Sequence, residues 1–328
     1  MKTNKSYRVE TVFTLLSPLS HIGESESTTS FLNTIRIMSQ GKPVDCFAYN
    51  GNALRGMLRD HGASYMLDHL GNIGVPKKTF DLLFSGGAIG GTQSADIDQA
   101  RAVRSALPFV SLFGGGIGNQ ILEGKMTQTF AYPVCAETIG IIPQGRNNID
   151  YTAQNISWKK MTGEISFSRM DDAKHNLGDR YIVHEGEQLL LSGDVKPEKG
   201  KKEDNEPATQ MRYTVEYMVP GTQLFHIFDL NCSDLELGAF VSAVHRWSSR
   251  PVLGGLSGKG FGQVRADMDL ITDGERQKFM SIEGNQPVLG ALAGSAKEQY
   301  DRHLESMYRN YLTTNEAQFV QLLEGTKK

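Results

Sequence analysis

Residues 7–16 (YRVETVFTLL) are a β-branched and aromatic run and predict a first strand. Ser17 to Ser30 is polar, with Pro18 and Gly23, and predicts a loop. Residues 31–38 (FLNTIRIM) predict a second strand, ended by the turn Gly41-Lys42-Pro43. From Asn50 the period changes. Leu54, Met57, Leu58, Tyr65, Met66, Leu67 and Leu70 recur at helical spacing, and Gly71 is a natural stop. Residues 124–142 predict strand again. Residues 211–219 and 222–230 are β-like runs split by Pro220-Gly221, which predicts a hairpin. Ser233 and Glu236 form a capping box opening a helix to about Trp247. A glycine-rich loop, 254–262, leads into the strand QVRADMDL. The tail, 287–325, predicts a helix with Tyr300, Leu304, Met307 and Tyr308 on one face.

The order β, β, α, β, β, α, β predicts an α+β fold, an antiparallel sheet with helices on one side. Residues 1–142 and 211–328 form the expected core. Residues 143–210 are polar with scattered aromatics, and their run KPEKGKKEDNEP balances four lysines against four acids. That composition predicts an inserted, solvated hairpin or loop region.

Composition narrows the function. The net charge is −3 and the pI about 6.3, which argues against coating nucleic acid by bulk charge alone. The 35 glycines, against a usual ~7% of residues, predict many tight turns or close backbone approaches. Cys46, Cys135 and Cys232 are far apart and form no CxxC pair, which suits a reducing cytoplasm. No window reaches the ~20 apolar residues of a membrane span, and the first residues have no secretory pattern.

Two segments carry candidate chemistry. Loop 254–262 fails the P-loop test, because Gly254 and Gly258 are too close and a strand follows where a helix should. It reads either as a tight turn or as a backbone-lined concavity for phosphate, with Gly255, Gly258 and Gly260 as the cradling positions. Residues 246–265 hold Arg246, Arg250, Lys259 and Arg265 and no acid, which favours the second. In the first helix, Asn52 is a plausible N-cap. Arg55 and Arg59 then share a face near a helix end that prefers anions. They read either as a solvent-facing stripe or as phosphate contacts. In the insertion, Arg146, Trp158, Lys159, Lys160 and Arg169 suit single-stranded nucleic acid, although nearby acids almost cancel the charge. The eight histidines are dispersed, with no HExxH or GxSxG pattern. Glu24 and Glu26 are weak metal candidates.

Several pieces come in a telling order: a strand running into SPLSHIG, then NGNALRGMLRD, LFGGG, GKMTQTFAYPV, RYTVEYMVPGTQLFHIFDL and LGGLSGKGFGQV. The chain thereby resembles the repeat-associated (RAMP) superfamily of CRISPR effector proteins. It is most similar to the backbone subunits that line the guide RNA, those of type IV systems. The resemblance covers most of residues 7–270. It implies a modified RRM-like, ferredoxin-like palm, with a protruding thumb at 143–210. It implies copies stacked along a guide RNA, contacts with other effector subunits, and target nucleic acid met through base pairing. It implies RNA contacts at His21, Asn50, Asn52, Arg55, Arg59, Arg250, Ser257 and Lys259, and no cofactor. Relatives that cleave their target place an aspartate in the loop after HIG. Here the apparent counterpart is Asn33, which implies a binding subunit that does not cut. An RNA endonuclease of the same superfamily and a nucleotide-binding enzyme using the glycine loop are the competing readings.

Overall fold

The structure, a computed structural model, describes residues 4–87, 96–117, 120–169 and 211–312. The first strand, β1 (Lys5–Leu15), runs along the middle of the main sheet. After it come β2 (Ile22–Glu26), β3 (Thr29–Leu32), β4 (Thr34–Ser39) and β5 (Lys42–Phe47), then helix α1 (Gly51–His69). Three further helices follow: α2 (Lys77–Ser85), α3 (Ile97–Ala106) and α4 (Pro108–Phe113). Next are β6 (Gly115–Ile117), β7 (Gln120–Leu122), β8 (Met126–Gln128) and β9 (Tyr132–Pro133). Short 3-10 turns lead to β10 (Thr162–Arg169). The rest is β11 (Met211–Met218), β12 (Gln223–Cys232), α5 (Asp234–Trp247), β13 (Val264–Thr272), β14 (Glu275–Glu283), β15 (Gln286–Leu289) and α6 (Ala291–Met307).

The α+β expectation holds. Four strands of the main sheet lie in the order β13-β1-β12-β8, all neighbours antiparallel. With α1 after β1 and α5 after β12, this is the β-α-β-β-α-β ferredoxin-like order. β14 and β15 extend one edge. Both faces of β1 are covered, so its burial is nearly continuous rather than alternating. On one face, Phe13 meets Trp247 edge-on at 6.0 Å and Phe228 meets Phe240 at 5.2 Å. On the other, Val12 and Phe225 pack with Val134, Ile142 and Ile149. His226 is fully buried among these rings, and desolvation drops it to about 3, so it stays neutral in the core.

Several expectations change. The runs around Pro220-Gly221 do not form a hairpin. β11 pairs with β10 and β3 in a second sheet, whereas β12 pairs with β1, β8 and β9 in the main one. The turn carries the chain from one sheet to the next. Residues 124–142 break into two short strands and a 3-10 turn. Residues 77–113, to which the sequence pattern assigned no element, hold three helices among the described residues. The tail opens with a strand before α6. Within the segment expected as an insertion, Ile149, Trp158 and Met161 are buried in the body's clusters. The run KPEKGKKEDNEP and the tail beyond 312 lie outside the described residues.

Candidate nucleic-acid interface

Three segments meet above the sheet: the turn after β1, the start of α1, and loop 254–262. Asn50, not Asn52, is the N-cap; its Oδ1 accepts from the Asn52 N–H at 2.8 Å. The Asn52 side chain instead accepts from Gln128 at 3.2 Å. The Asn50 N–H donates to His21 Nε2 at 3.1 Å, and the His21 ring stacks on Tyr49 at 4.2 Å. Burial lowers His21 below its ordinary value, which suits an imidazole that must keep that nitrogen free to accept. Asn33 clamps the same region. Its backbone N–H donates to His21 O at 2.7 Å and its side-chain amide donates to Ala48 O at 2.8 Å. Glu24 and Glu26 stand exposed on β2.

The glycine loop hangs from this base. Gly254 N–H donates to Tyr49 Oη at 2.9 Å, and Gly255 N–H donates to Ser20 O at 3.0 Å. Trp247 Nε1 holds Val252 O at 3.0 Å. Two glycines combine a left-handed backbone with close approach to a carbonyl. Gly254 and Gly262 have φ of +70° and +81°, and a Cβ would lie 2.2 Å from Ser20 O and 2.0 Å from Leu253 O. At Gly255, Gly258 and Gly260 a Cβ would meet nothing within 4 Å. These three are the cradling positions expected from the sequence, and the structure places them facing open space.

The amides tell more than the glycines. Leu256 sits in the left-handed region at φ +61° and opens a 3-10 turn, Ser257–Lys259. The N–H groups of Lys259, Gly260 and Phe261 turn inward onto Leu256 O and Ser257 O. The three consecutive N–H groups of Leu256, Ser257 and Gly258 donate to no acceptor among the described residues. Successive free amides beside a left-handed residue form an anion-binding concavity. Arg250 is exposed and makes no ion pair among the described residues. The Lys259 ammonium lies 4.4 Å from the ring centroids of both Phe167 and Tyr213, a cation held by π faces with no carboxylate. The other two cations of this stretch have acids brought from afar: Arg246 pairs with Asp68, and Arg265 lies 3.9 Å from Glu283.

Four expected RNA contacts land elsewhere. Arg59 is buried; its Nη2 donates to Phe113 O at 2.7 Å and Gly114 O at 3.1 Å, capping the last carbonyls of α4. Arg55 joins it, donating to Phe113 O at 2.5 Å and Met126 O at 2.9 Å. Burial, then the neighbouring Arg55 charge, lowers Arg59 to about 10. Neither is a surface stripe. A cation at a helix C-terminus is the favourable arrangement, and these two serve the end of α4. Arg146 grips Glu10 through two hydrogen bonds, 2.9 and 3.1 Å. With Arg276 it more than offsets the burial that would raise that carboxylate, and fastens residues 134–151 to the sheet. Trp158 is 6% exposed, with Nε1 donating to Asp45 O at 2.8 Å. Its indole faces the core and offers no stacking surface. Lys159 and Lys160 follow it, exposed and without ion pairs among the described residues. Arg169 ends β10, and its side chain lies outside what the structure describes.

Sequence reasoning missed the role of β10 and β11. Phe167 and Tyr213 are cross-strand partners, and Phe261 packs on Phe167 and Tyr217. The β10–β11 pair therefore backs the glycine loop. The alternating FxR and RYT patterns were visible, but nothing local linked them to residues 259–261.

The fold is similar to that of a chain from a solved Type IV-B CRISPR complex, with a TM-score of 0.53 and 19% identity over 80% of this chain and 90% of that one. No family model matches the sequence. No curated protein matches it either. Among the described residues no helix is long and apolar enough to cross a membrane.

Proposed function

We propose that this chain is a CRISPR effector subunit that binds a guide RNA through the loop 254–262 and the adjoining turn after β1. Several copies line one guide, contact other effector subunits and present the guide for target pairing. The observation that carries this reading is the row of three free amides at Leu256, Ser257 and Gly258, in a segment that also exposes Arg250 and Lys259. Amides and cations read phosphates without reading bases, which a subunit serving any guide sequence requires. The likeness to a chain of a Type IV-B CRISPR complex supports the assembly it works in. The subunit holds RNA and does not cut it. Asn33, which the sequence resemblance sets against the aspartate of cleaving proteins, spends its amide on Ala48 O and brings no negative charge. A nucleotide-binding enzyme is disfavoured, since the loop runs into β13 and not into a helix.

Arg250→Ala combined with Lys259→Ala tests the interface. Affinity for single-stranded RNA should fall about tenfold or more, alike for every sequence. The slope of log K against log salt should shrink by about 1.4, two phosphate contacts at about 0.7 each. Both side chains are exposed, so thermal stability should barely move. Fluorescence anisotropy at several salt concentrations gives the answer; an unchanged affinity and slope would remove the loop from the interface.

A further inference from the structure

A groove of about 520 Å³ lies between the glycine loop and the exposed side of α1. Ala53, Met57, Asp60 and His61 line it along one helix face, opposite His21, Ile22 and Gly255. Its walls are largely apolar, and it joins the loop with the free amides directly through Gly254 and Gly255. Asp60 is the unusual member. It makes no hydrogen bond and no ion pair among the described residues. Partial burial pushes its carboxyl upward, and the charge of Arg59 offsets only part of this. A carboxylate here repels phosphate, so the groove suits the uncharged side of a nucleic-acid strand whose phosphates sit on the loop.

We propose that Asp60 selects RNA over DNA by accepting a hydrogen bond from a ribose 2′-hydroxyl seated in this groove. The hydroxyl donates, the carboxylate accepts, and the sugar lies against Met57 and Ile22. The 2′-hydroxyl distinguishes RNA from DNA without reference to sequence, so the device fits a subunit that must accept any guide. A carboxylate binding ribose hydroxyls is familiar chemistry in nucleotide sites. This inference rests on the RNA-binding reading above and adds the specificity to it.

The experiment compares RNA, DNA and 2′-O-methyl RNA of one single-stranded sequence on the wild-type protein and on Asp60→Ala and Asp60→Asn. Wild type should prefer RNA to both analogues by about tenfold, the worth of one hydrogen bond to a charged acceptor. Asp60→Ala should bring RNA down to the level of DNA, with DNA affinity unchanged or improved as a negative charge leaves. Asp60→Asn should keep part of the preference. Asp60 is exposed, so the variants should melt with the wild type. Equal affinity of wild type for RNA and DNA, or a preference that survives Asp60→Ala, would overturn the proposal while leaving RNA binding intact. Binding of neither polymer would instead remove the RNA-binding reading beneath it.

Discussion

Trp158→Ala is expected to destabilise the protein by about 3–5 kcal/mol, the range for emptying a buried aromatic site. The indole is 6% exposed and packs in the main core cluster beside Met161. Removing it also leaves Asp45 O without its donor. Two hydrogen bonds to Glu137, from the Ser157 hydroxyl and the Trp158 N–H, fix the turn around it, so collapse onto the cavity is limited. Urea unfolding followed by fluorescence or circular dichroism measures the change. RNA affinity of the folded fraction should stay near wild type. A variant of normal stability that binds RNA weakly would mean that the indole meets RNA, contrary to its placement here.

Arg59→Ala is expected to cost about 3 kcal/mol, because it removes charged hydrogen bonds and strands buried carbonyls. Phe113 O would keep only Arg55, and Gly114 O would lose its guanidinium donor. Arg59→Met, which retains most of the side-chain volume, should recover the packing but not the capping, and fall between. Relief of the repulsion from Arg55 offsets a little of the loss. Were Arg59 a surface cation on RNA, stability would change by no more than about 0.5 kcal/mol and affinity would fall instead. Thermal melts of the two variants, alongside anisotropy with RNA, separate these outcomes.

Arg55, Arg59 and Trp158 show where a sequence stops being informative. Cations at helical spacing and an aromatic followed by two lysines look the same whether they face solvent or core. What decided them was distant: the carbonyls of Phe113 and Gly114, and the β5 carbonyl of Asp45. Features governed by local chemistry were legible. The Ser233–Glu236 capping box forms with both reciprocal bonds, and α1 starts and stops within the Asn50–Gly71 window. The α+β class followed from the order of strands and helices. The Pro220-Gly221 turn was seen, but turn chemistry cannot say whether the next strand folds back or crosses to another sheet. In loop 254–262 the glycines were audible, and their division of labour was not. Gly254 and Gly262 fit the backbone, Gly260 joins a left-handed φ of +85° to open space, and Gly255 and Gly258 leave space open. The free amides that matter most belong partly to Leu256 and Ser257, residue types that signal nothing by themselves.

The central claim is that this chain holds guide RNA, and co-purification tests it most directly. The protein is coexpressed with a guide RNA, and size-exclusion chromatography is run with absorbance at 260 and 280 nm. The account predicts a ribonucleoprotein larger than one chain, with a nucleic-acid absorbance ratio and an extractable RNA of defined length. A monomer free of nucleic acid after coexpression would contradict it.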